Sequence, residues 1–224
     1  MKSINTLAAR ESAYRALKAA YPDADIQPVE LRLERTLKNA LNEYKFPLLL
    51  SDAIPLECEE RLLSTDMILV TEIGLGIYER DRTLADASAK MLETSANLNA
   101  FTAGGATFNW KHLRRFWNGS LAIRRSTDQS IERMPTSWFY ESPLTQQASA
   151  TTNGSSAGDT SGRRQINPRL KIRGGEQTEI KLTFPAFASV KWEQDAANVD
   201  VQAVILLSGY VVKGVDGKKE ISLY

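Results

Sequence analysis

The sequence predicts a mainly β protein, a single jelly-roll β-sandwich of two antiparallel sheets that follows an N-terminal helix. Apolar and polar residues alternate in about eight separate stretches, which is the pattern of strands with one buried face. Helices and strands do not alternate regularly, so a parallel α/β sheet is disfavoured. The connections are long and uneven, which favours a jelly roll, whose strands cross between sheets, over a meander barrel.

Residues 3–21 are predicted to form a helix, because alanine is abundant and Leu7, Tyr14, Leu17 and Tyr21 fall near one face. Pro22 ends it. Two interpretations of residues 1–25 stay open. They form either a surface helix with solvated bases, or an arm that reaches a neighbouring subunit, a membrane surface or nucleic acid. The basic residues in question are Arg10, Arg15 and Lys18.

Two long strands organise the remainder of the chain, residues 26–224. In Met67–Tyr78 the odd positions from Met67 to Ile77 form one largely apolar face. Val199–Val212 is apolar on both faces, as in a strand buried on both sides. Val29, Leu31 and Leu33 alternate with charged residues as in a strand, but Leu33, Leu37 and Leu41 also fit one face of a helix, so both interpretations stay open. Further extended stretches are predicted at 44–50, 114–125 (a hairpin or a strand broken by a turn), 131–141, 170–172 and 180–184.

Two segments are predicted to be connections. Residues 145–164 are rich in Ser, Thr, Ala and Gly, so they are expected to form a flexible loop within one domain. Residues 83–110 contain many small and polar residues and the pair Gly104-Gly105. A connection of that length in a compact domain usually serves a function or an interface.

The composition gives no support to an enzyme. The net charge is +1, so the molecule as a whole does not attract nucleic acid. Cys58 is the only cysteine and His112 the only histidine, too few for a Cys- or His-based metal site. Gly74-Leu75-Gly76 lies inside a predicted strand rather than at a strand-to-helix turn, so close packing or a bulge explains it better than a dinucleotide site. We expect no catalytic residues, no cofactor and no metal.

The strongest binding signal is a cluster of basic and aromatic residues between positions 110 and 125. Bases interleaved with aromatic rings bind single-stranded nucleic acid, and they also occur at protein interfaces or on an ordinary surface. The interface interpretation fits the rest of the chain best. It rests on Trp110, Arg114, Arg115 and Trp117.

The order of elements resembles that of the jelly-roll major capsid proteins of tailless icosahedral bacteriophages. The resemblance covers most of residues 28–213 and contains no diagnostic motif. The segments that carry it are LRLERTLKNALNEYKFPLLL, DMILVTEIGLGIYER, FWNGSLAIRR, SWFYESPLTQQ, KIRGGEQTEIKLTFP and VQAVILLSGYVV.

The resemblance implies a structural virion protein, made in the host cytoplasm, that assembles with copies of itself and with other virion proteins. Trp110, Arg114, Arg115 and Trp117 would lie at subunit contacts. Arg10, Arg15 and Lys18 would face the interior, where the arm could meet the genome or an internal membrane. No small-molecule substrate is expected.

The alternative is a non-catalytic β-sandwich that binds a carbohydrate or a receptor, such as a spike or vertex protein. Its binding platform would consist of Trp138, Phe139 and Tyr140.

Overall fold

The structure is a computed structural model that describes residues 2–39, 41–48, 65–81, 115–125, 130–140, 163–174, 176, 178–185 and 199–215. Helix α1 is followed by eight strands, and a short 3-10 helix follows β5. The bounds are α1 Lys2–Ala20, β1 Ile26–Thr36, β2 Glu43–Pro47, β3 Met67–Asp81, β4 Ser120–Arg125, β5 Ser130–Pro135, the 3-10 helix Thr136–Trp138, β6 Arg163–Arg173, β7 Thr178–Thr183 and β8 Val199–Val212.

The strands form two antiparallel four-stranded sheets, which confirms the predicted β-sandwich with an N-terminal helix. Sheet A has the order β1-β8-β3-β6, and sheet B has the order β2-β7-β4-β5. The pairing is nested, because β1 pairs with β8, β2 with β7, β3 with β6 and β4 with β5. The contacts β3–β8 and β4–β7 then join these pairs into the two sheets.

One apolar core fills the space between the sheets, and all eight strands contribute to it. Sheet A supplies residues such as Leu31 and Ile205, and sheet B supplies Phe46, Leu121 and Ile180, all of them buried. Each such side chain contributes about 1.5–3 kcal/mol when it leaves water. The alternation of Val29, Leu31 and Leu33 therefore belongs to β1, and the alternative of a helix through Leu33 and Leu37 is wrong.

Strand β3 contains an irregularity that the sequence pattern did not predict. Its register to both neighbours shifts between Val70 and Glu72. An inserted residue reverses the alternation of faces. Ile73 therefore faces the inter-sheet core, whereas Met67 and Leu69 face the opposite way. The predicted single face of odd positions is wrong before the bulge and correct after it.

Helix α1 packs on the outer face of sheet A. Its buried residues Ala13 and Leu17, with Tyr21 just after its end, form a second apolar cluster with Met67, Leu69 and Val212. Tyr14 does not belong to this buried face, because 41% of it is exposed and its ring only meets Tyr210, at 5.7 Å between centroids. The helix is therefore seated on the outer face of its own sheet A.

Two other segments differ in detail from their predictions. Residues 116–119 form a turn ahead of β4 and not the turn of a hairpin, since β4 starts at Ser120 and pairs with β5 and β7. The stretch predicted at 131–141 is a strand only as far as Pro135, and the 3-10 helix follows.

Several sequence predictions fall outside the described residues. They concern Cys58, Trp110, His112, Arg114 and the connection at 83–110. Of the predicted loop at 145–164, only Arg163 and Arg164 are described, and they begin β6.

Candidate functional site

Three long connections start and finish at one end of the sandwich. Asp81 at the end of β3 lies opposite Val199 at the start of β8, and Thr183 lies opposite both Glu43 and Ser120. Residues 82–114, 141–162 and 186–198 therefore join chain ends that lie on this side, which we call the loop end. Loops collected on a rigid scaffold are the usual place for binding functions.

The hydroxyl of Thr136 holds the loop end together. It donates a hydrogen bond to the Phe116 carbonyl at 2.9 Å and accepts one from the Gly119 N–H at 2.8 Å. The Thr136 N–H in turn donates to the Gly119 carbonyl at 3.0 Å. Thr136 is fully buried, so these bonds are shielded from water. The turn before β4 is thereby fixed to the end of β5.

Trp117, predicted to lie at a subunit contact, is buried within its own subunit. Only 4% of it is exposed. Its ring meets Phe116 at 4.8 Å and Tyr140 at 5.6 Å between centroids, both with edge-to-face geometry. Such pairs favour packing beyond the area they bury. The interface prediction for Trp117 is therefore corrected, because its side chain supports the loop end from inside.

The other predicted contact residues have different placements. Arg115 is partly exposed at the start of the same turn. Trp110 and Arg114 lie outside the described residues. Of the four residues predicted to form one contact surface, the structure therefore places only Arg115 with part of its surface in solvent.

Trp138 is a surface aromatic at the loop end, with 56% of it exposed. The Arg164 side chain donates through Nε to the Trp138 carbonyl and so links sheet A to the end of β5. Phe139 is fully buried, and Tyr140 packs against the inter-sheet core. The predicted platform of three adjacent exposed aromatics is therefore wrong, because of the three only Trp138 is well exposed.

A second group of polar residues attaches α1 to sheet A. Arg10 donates to the carboxylate of Glu72 at 2.9 Å, and the Glu72 side chain is 6% exposed. Arg169 on β6 donates to Ser12 Oγ at 2.9 Å, and burial lowers the pKa of its guanidinium. Neither contact could be predicted from the sequence, because each joins residues that are far apart in the chain.

The three bases of the helix therefore differ in their surroundings. Arg10 is bound to its own sheet. Arg15 pairs with Glu11 one turn earlier, in full contact with solvent, and Lys18 is exposed. Only Arg15 and Lys18 present their charges away from the sandwich.

The outer face of sheet B carries charges of both signs. Lys45 pairs with Glu179 at 3.0 Å, and Lys181 pairs with Glu43 at 3.0 Å. The hydrogen bond and the charge of Glu179 raise the pKa of Lys45 above its usual value. These exposed pairs are arranged diagonally across β2 and β7 and contribute little to stability.

Among the residues that the structure describes, no group of three His, Cys, Asp or Glu side chains is placed to hold a metal ion. The described helical residues include no segment long and apolar enough to cross a membrane. The candidate site that the described residues offer is the surface of the loop end.

No protein-family model matches this chain, and no curated protein matches it.

Proposed function

We propose that this chain is a self-assembling structural protein, a major capsid subunit of a tailless phage with a jelly-roll fold. The observation that carries the proposal is the nested pairing of β1 with β8, β2 with β7, β3 with β6 and β4 with β5, divided between two sheets. This pairing results when one long hairpin wraps over itself, as in a jelly roll, a common fold of viral shells. The protein would reside in the virion after synthesis in the host cytoplasm.

The loop end supports the proposal because it combines a rigid base with a surface that is available for contacts. The Thr136 hydrogen bonds and the Trp117 packing make its base rigid. Trp138 and Arg115 are presented around it, and Trp and Arg are residue types enriched at protein interfaces. Neighbouring copies would meet through this end and the connections that leave it.

The charge distribution also suits close packing of many copies. The net charge of +1 avoids strong repulsion between subunits. The basic residues of β6 and β7 that form salt bridges pair with acidic residues of the same chain. Arg163, for example, pairs with Glu30 at 2.7 Å. The exposed Arg15 and Lys18 of α1 would meet the genome or an internal membrane.

Electron microscopy and sedimentation of the purified protein test the proposal directly. We expect closed particles or discrete oligomers. A monomer at high concentration, with no particles in the images, would overturn it.

A pair of variants locates the contact surface. Trp138→Ala at the loop end should reduce the yield of particles, whereas Tyr14→Ala on the outer face of α1 should not. Both variants replace a partly exposed aromatic residue, so their losses of stability should be similar. Thermal unfolding of the two variants measures those losses. Equal particle yields from the two variants would contradict lateral contact through the loop end.

The exposed Trp138 ring also supports the second candidate, a non-catalytic module that binds a carbohydrate or a receptor. Aromatic rings exposed on a sandwich stack on sugar faces, although one ring offers less area than the platform predicted from sequence. Binding to a glycan array that disappears in Trp138→Ala, from a protein that stays monomeric, would favour this candidate.

A further inference from the structure

Trp138 offers an aromatic ring that is not paired with another ring. It is the most exposed large apolar side chain among the described residues, with 56% of it in solvent. The ring pairs found in the described part of the chain do not include it. Its backbone turn is fixed, because the Phe139 N–H donates to the Thr136 carbonyl at 3.0 Å and the Tyr140 N–H donates to the Ser137 carbonyl at 3.2 Å. A ring carried on a fixed turn loses little conformational freedom when a ligand stacks on it.

Arg164 holds a positive charge beside Trp138. Its Nε donates to the Trp138 carbonyl, and its Nη1 donates to the Arg163 carbonyl at 3.2 Å. Both acceptors are neutral, and no salt bridge between described residues includes Arg164. The guanidinium is therefore positioned by the backbone while its charge stays without a carboxylate partner. Arginine carries this charge throughout the physiological pH range.

Arg133 on β5 supplies a second charge of the same kind. Its side chain is exposed, and its φ of +51° lies in the left-handed region that residues other than glycine seldom adopt. The pairing of β4 with β5 shifts register here, between Leu121 and Ile123. Irregular pairing of this kind redirects side chains at the edge of a sheet. The salt bridges between described residues do not include Arg133 either, so its guanidinium can meet an external anion.

The three side chains Arg133, Trp138 and Arg164 lie at one corner of the sandwich, which we call the basic corner. Strand β5 is an edge of sheet B and β6 is an edge of sheet A, and the bond from Arg164 to the Trp138 carbonyl joins these two edges. Arg133 and Trp138 are five positions apart in the chain, so their Cα atoms are separated by at most about 13 Å. The long arginine side chains cover much of that distance, so one extended ligand can contact all three residues.

The chemistry of the basic corner selects the class of ligand. The guanidinium groups offer only hydrogen-bond donors, and the indole offers a π face and one donor. None of the three side chains can accept a hydrogen bond from a sugar hydroxyl in the way that a carboxylate does. A single nucleic-acid strand supplies both matching features, because its bases stack on aromatic rings and its phosphate oxygens accept the paired N–H groups of arginine.

We infer that the basic corner binds single-stranded nucleic acid, with a base stacked on Trp138 and phosphate groups on Arg133 and Arg164. The inference goes beyond the proposed function and applies to the subunit before assembly, when no neighbouring copy occupies the loop end. The net charge of the chain is only +1, so binding relies on these local contacts rather than on the charge of the whole molecule.

Fluorescence anisotropy of a labelled oligothymidylate measures this binding at low salt. We expect saturable binding of the single strand and weaker binding of the duplex formed with its complement, because the duplex keeps its bases stacked inside. Two phosphate contacts predict that the logarithm of the affinity falls with the logarithm of the salt concentration with a slope of about −1.4. An absence of binding at low salt, or equal binding of the duplex, would overturn the inference.

Variants of Trp138 test the stacking. Trp138→Ala should weaken binding by at least about fivefold, whereas Trp138→Phe keeps an aromatic face and should weaken it less. The side chain is mostly exposed, so both variants should fold, and circular dichroism verifies this. An alanine variant that binds the oligothymidylate as tightly as the unaltered protein would rule out stacking on this ring.

Arg133→Gln tests a phosphate contact and removes no salt bridge between described residues. It should lower the affinity and reduce the magnitude of the salt slope by about 0.7. Lys213→Gln is the matched control, because Lys213 is exposed directly after β8, at the end of the sandwich opposite the loop end. The control should leave affinity and slope unchanged. Equal effects of the two variants would mean that diffuse charge binds the strand, and would refute the basic corner as the site.

An acidic peptide is the other ligand that two arginines attract, and competition separates it from nucleic acid. Poly-glutamate carries negative charge but no bases, so it should displace the oligothymidylate only at a much higher concentration of charge. If poly-glutamate competes equally well, charge for charge, the assignment to nucleic acid is wrong.

The outcomes separate this inference from the proposed function. Particles formed by a protein that binds no oligothymidylate would refute the inference and leave the shell intact. A monomer that forms no particles but binds the strand through Trp138 would support the inference and overturn the shell.

Discussion

The guanidinium of Arg10 donates to the buried carboxylate of Glu72 at 2.9 Å, across 62 positions of sequence. Glu72 follows directly after the irregularity in β3, on the face of sheet A that α1 covers. The pair therefore joins the helix to the sandwich through a charge that is mostly shielded from water.

Arg10→Ala should destabilise the protein by about 1–3 kcal/mol, because it leaves the Glu72 charge buried without its partner. Arg15→Ala is the matched control, since Arg15 and Glu11 are both well exposed, and it should change stability by less than about 0.5 kcal/mol. Urea unfolding measures both. In a Glu72→Gln background the cost of Arg10→Ala should shrink, and an undiminished cost there would contradict the ion-pair explanation.

Leu17→Ala tests whether α1 belongs to the folded subunit. Leu17 is fully buried against Met67 and Leu69, so we expect a loss of about 2–4 kcal/mol. Lys18→Ala, at the exposed neighbouring position, should stay within about 0.5 kcal/mol of the unaltered protein. If both variants unfold at the same denaturant concentration as the unaltered protein, α1 is detached from the sandwich in solution.

Thr136→Val should cost about 2 kcal/mol, because it removes the hydroxyl that donates to the Phe116 carbonyl and accepts from the Gly119 N–H. Thr136→Ser keeps the hydroxyl and loses one methyl group, so it should cost about 1 kcal/mol or less. Thermal unfolding distinguishes the two. A serine variant that is as unstable as the valine variant would show that packing, not hydrogen bonding, holds the loop end.

Gly209→Ala should abolish stable folding or cost more than about 3 kcal/mol. A Cβ at Gly209 would lie 2.0 Å from the backbone oxygen of Leu69, so β3 and β8 would have to separate. Gly214→Ala meets nothing within 4 Å and suffers only the strain of φ +67°, about 1–2 kcal/mol. Circular dichroism and urea unfolding check the pair, and equal costs would refute the close approach at Gly209.

The sequence predicts which segments form strands far better than it predicts which side chains of each strand point into the inter-sheet core. The position of β8 follows from a largely apolar run with apolar residues on both faces, because a strand buried on both sides leaves that pattern. The bulge in β3 leaves no such sign. Thr71 and Glu72 would be ordinary in a regular strand, so the reversal that sends Met67 towards α1 depends on the neighbouring strands.

The candidate site was harder to predict than the fold for a similar reason. The turn before β4 is visible in its sequence, but the inward packing of Trp117 depends on Phe116 and on Tyr140, which comes from another part of the chain. Arg10 looks like a solvated base until sheet A places Glu72 beside it, and Arg169 does until α1 places Ser12 beside it. The sequence shows which residues are charged, whereas only the fold shows which residues those charges contact.

The position of β8 has a consequence for how the protein is made. This strand is among the last described elements, yet it lies inside sheet A between β1 and β3. Among the described strands, β1 has no partner and β3 lacks one of its two until residues 199–212 have left the ribosome, although β1 was translated long before. Distant pairing of this kind slows folding and leaves apolar strands uncovered meanwhile. The nascent chain is therefore expected to depend on chaperones until its synthesis has passed β8.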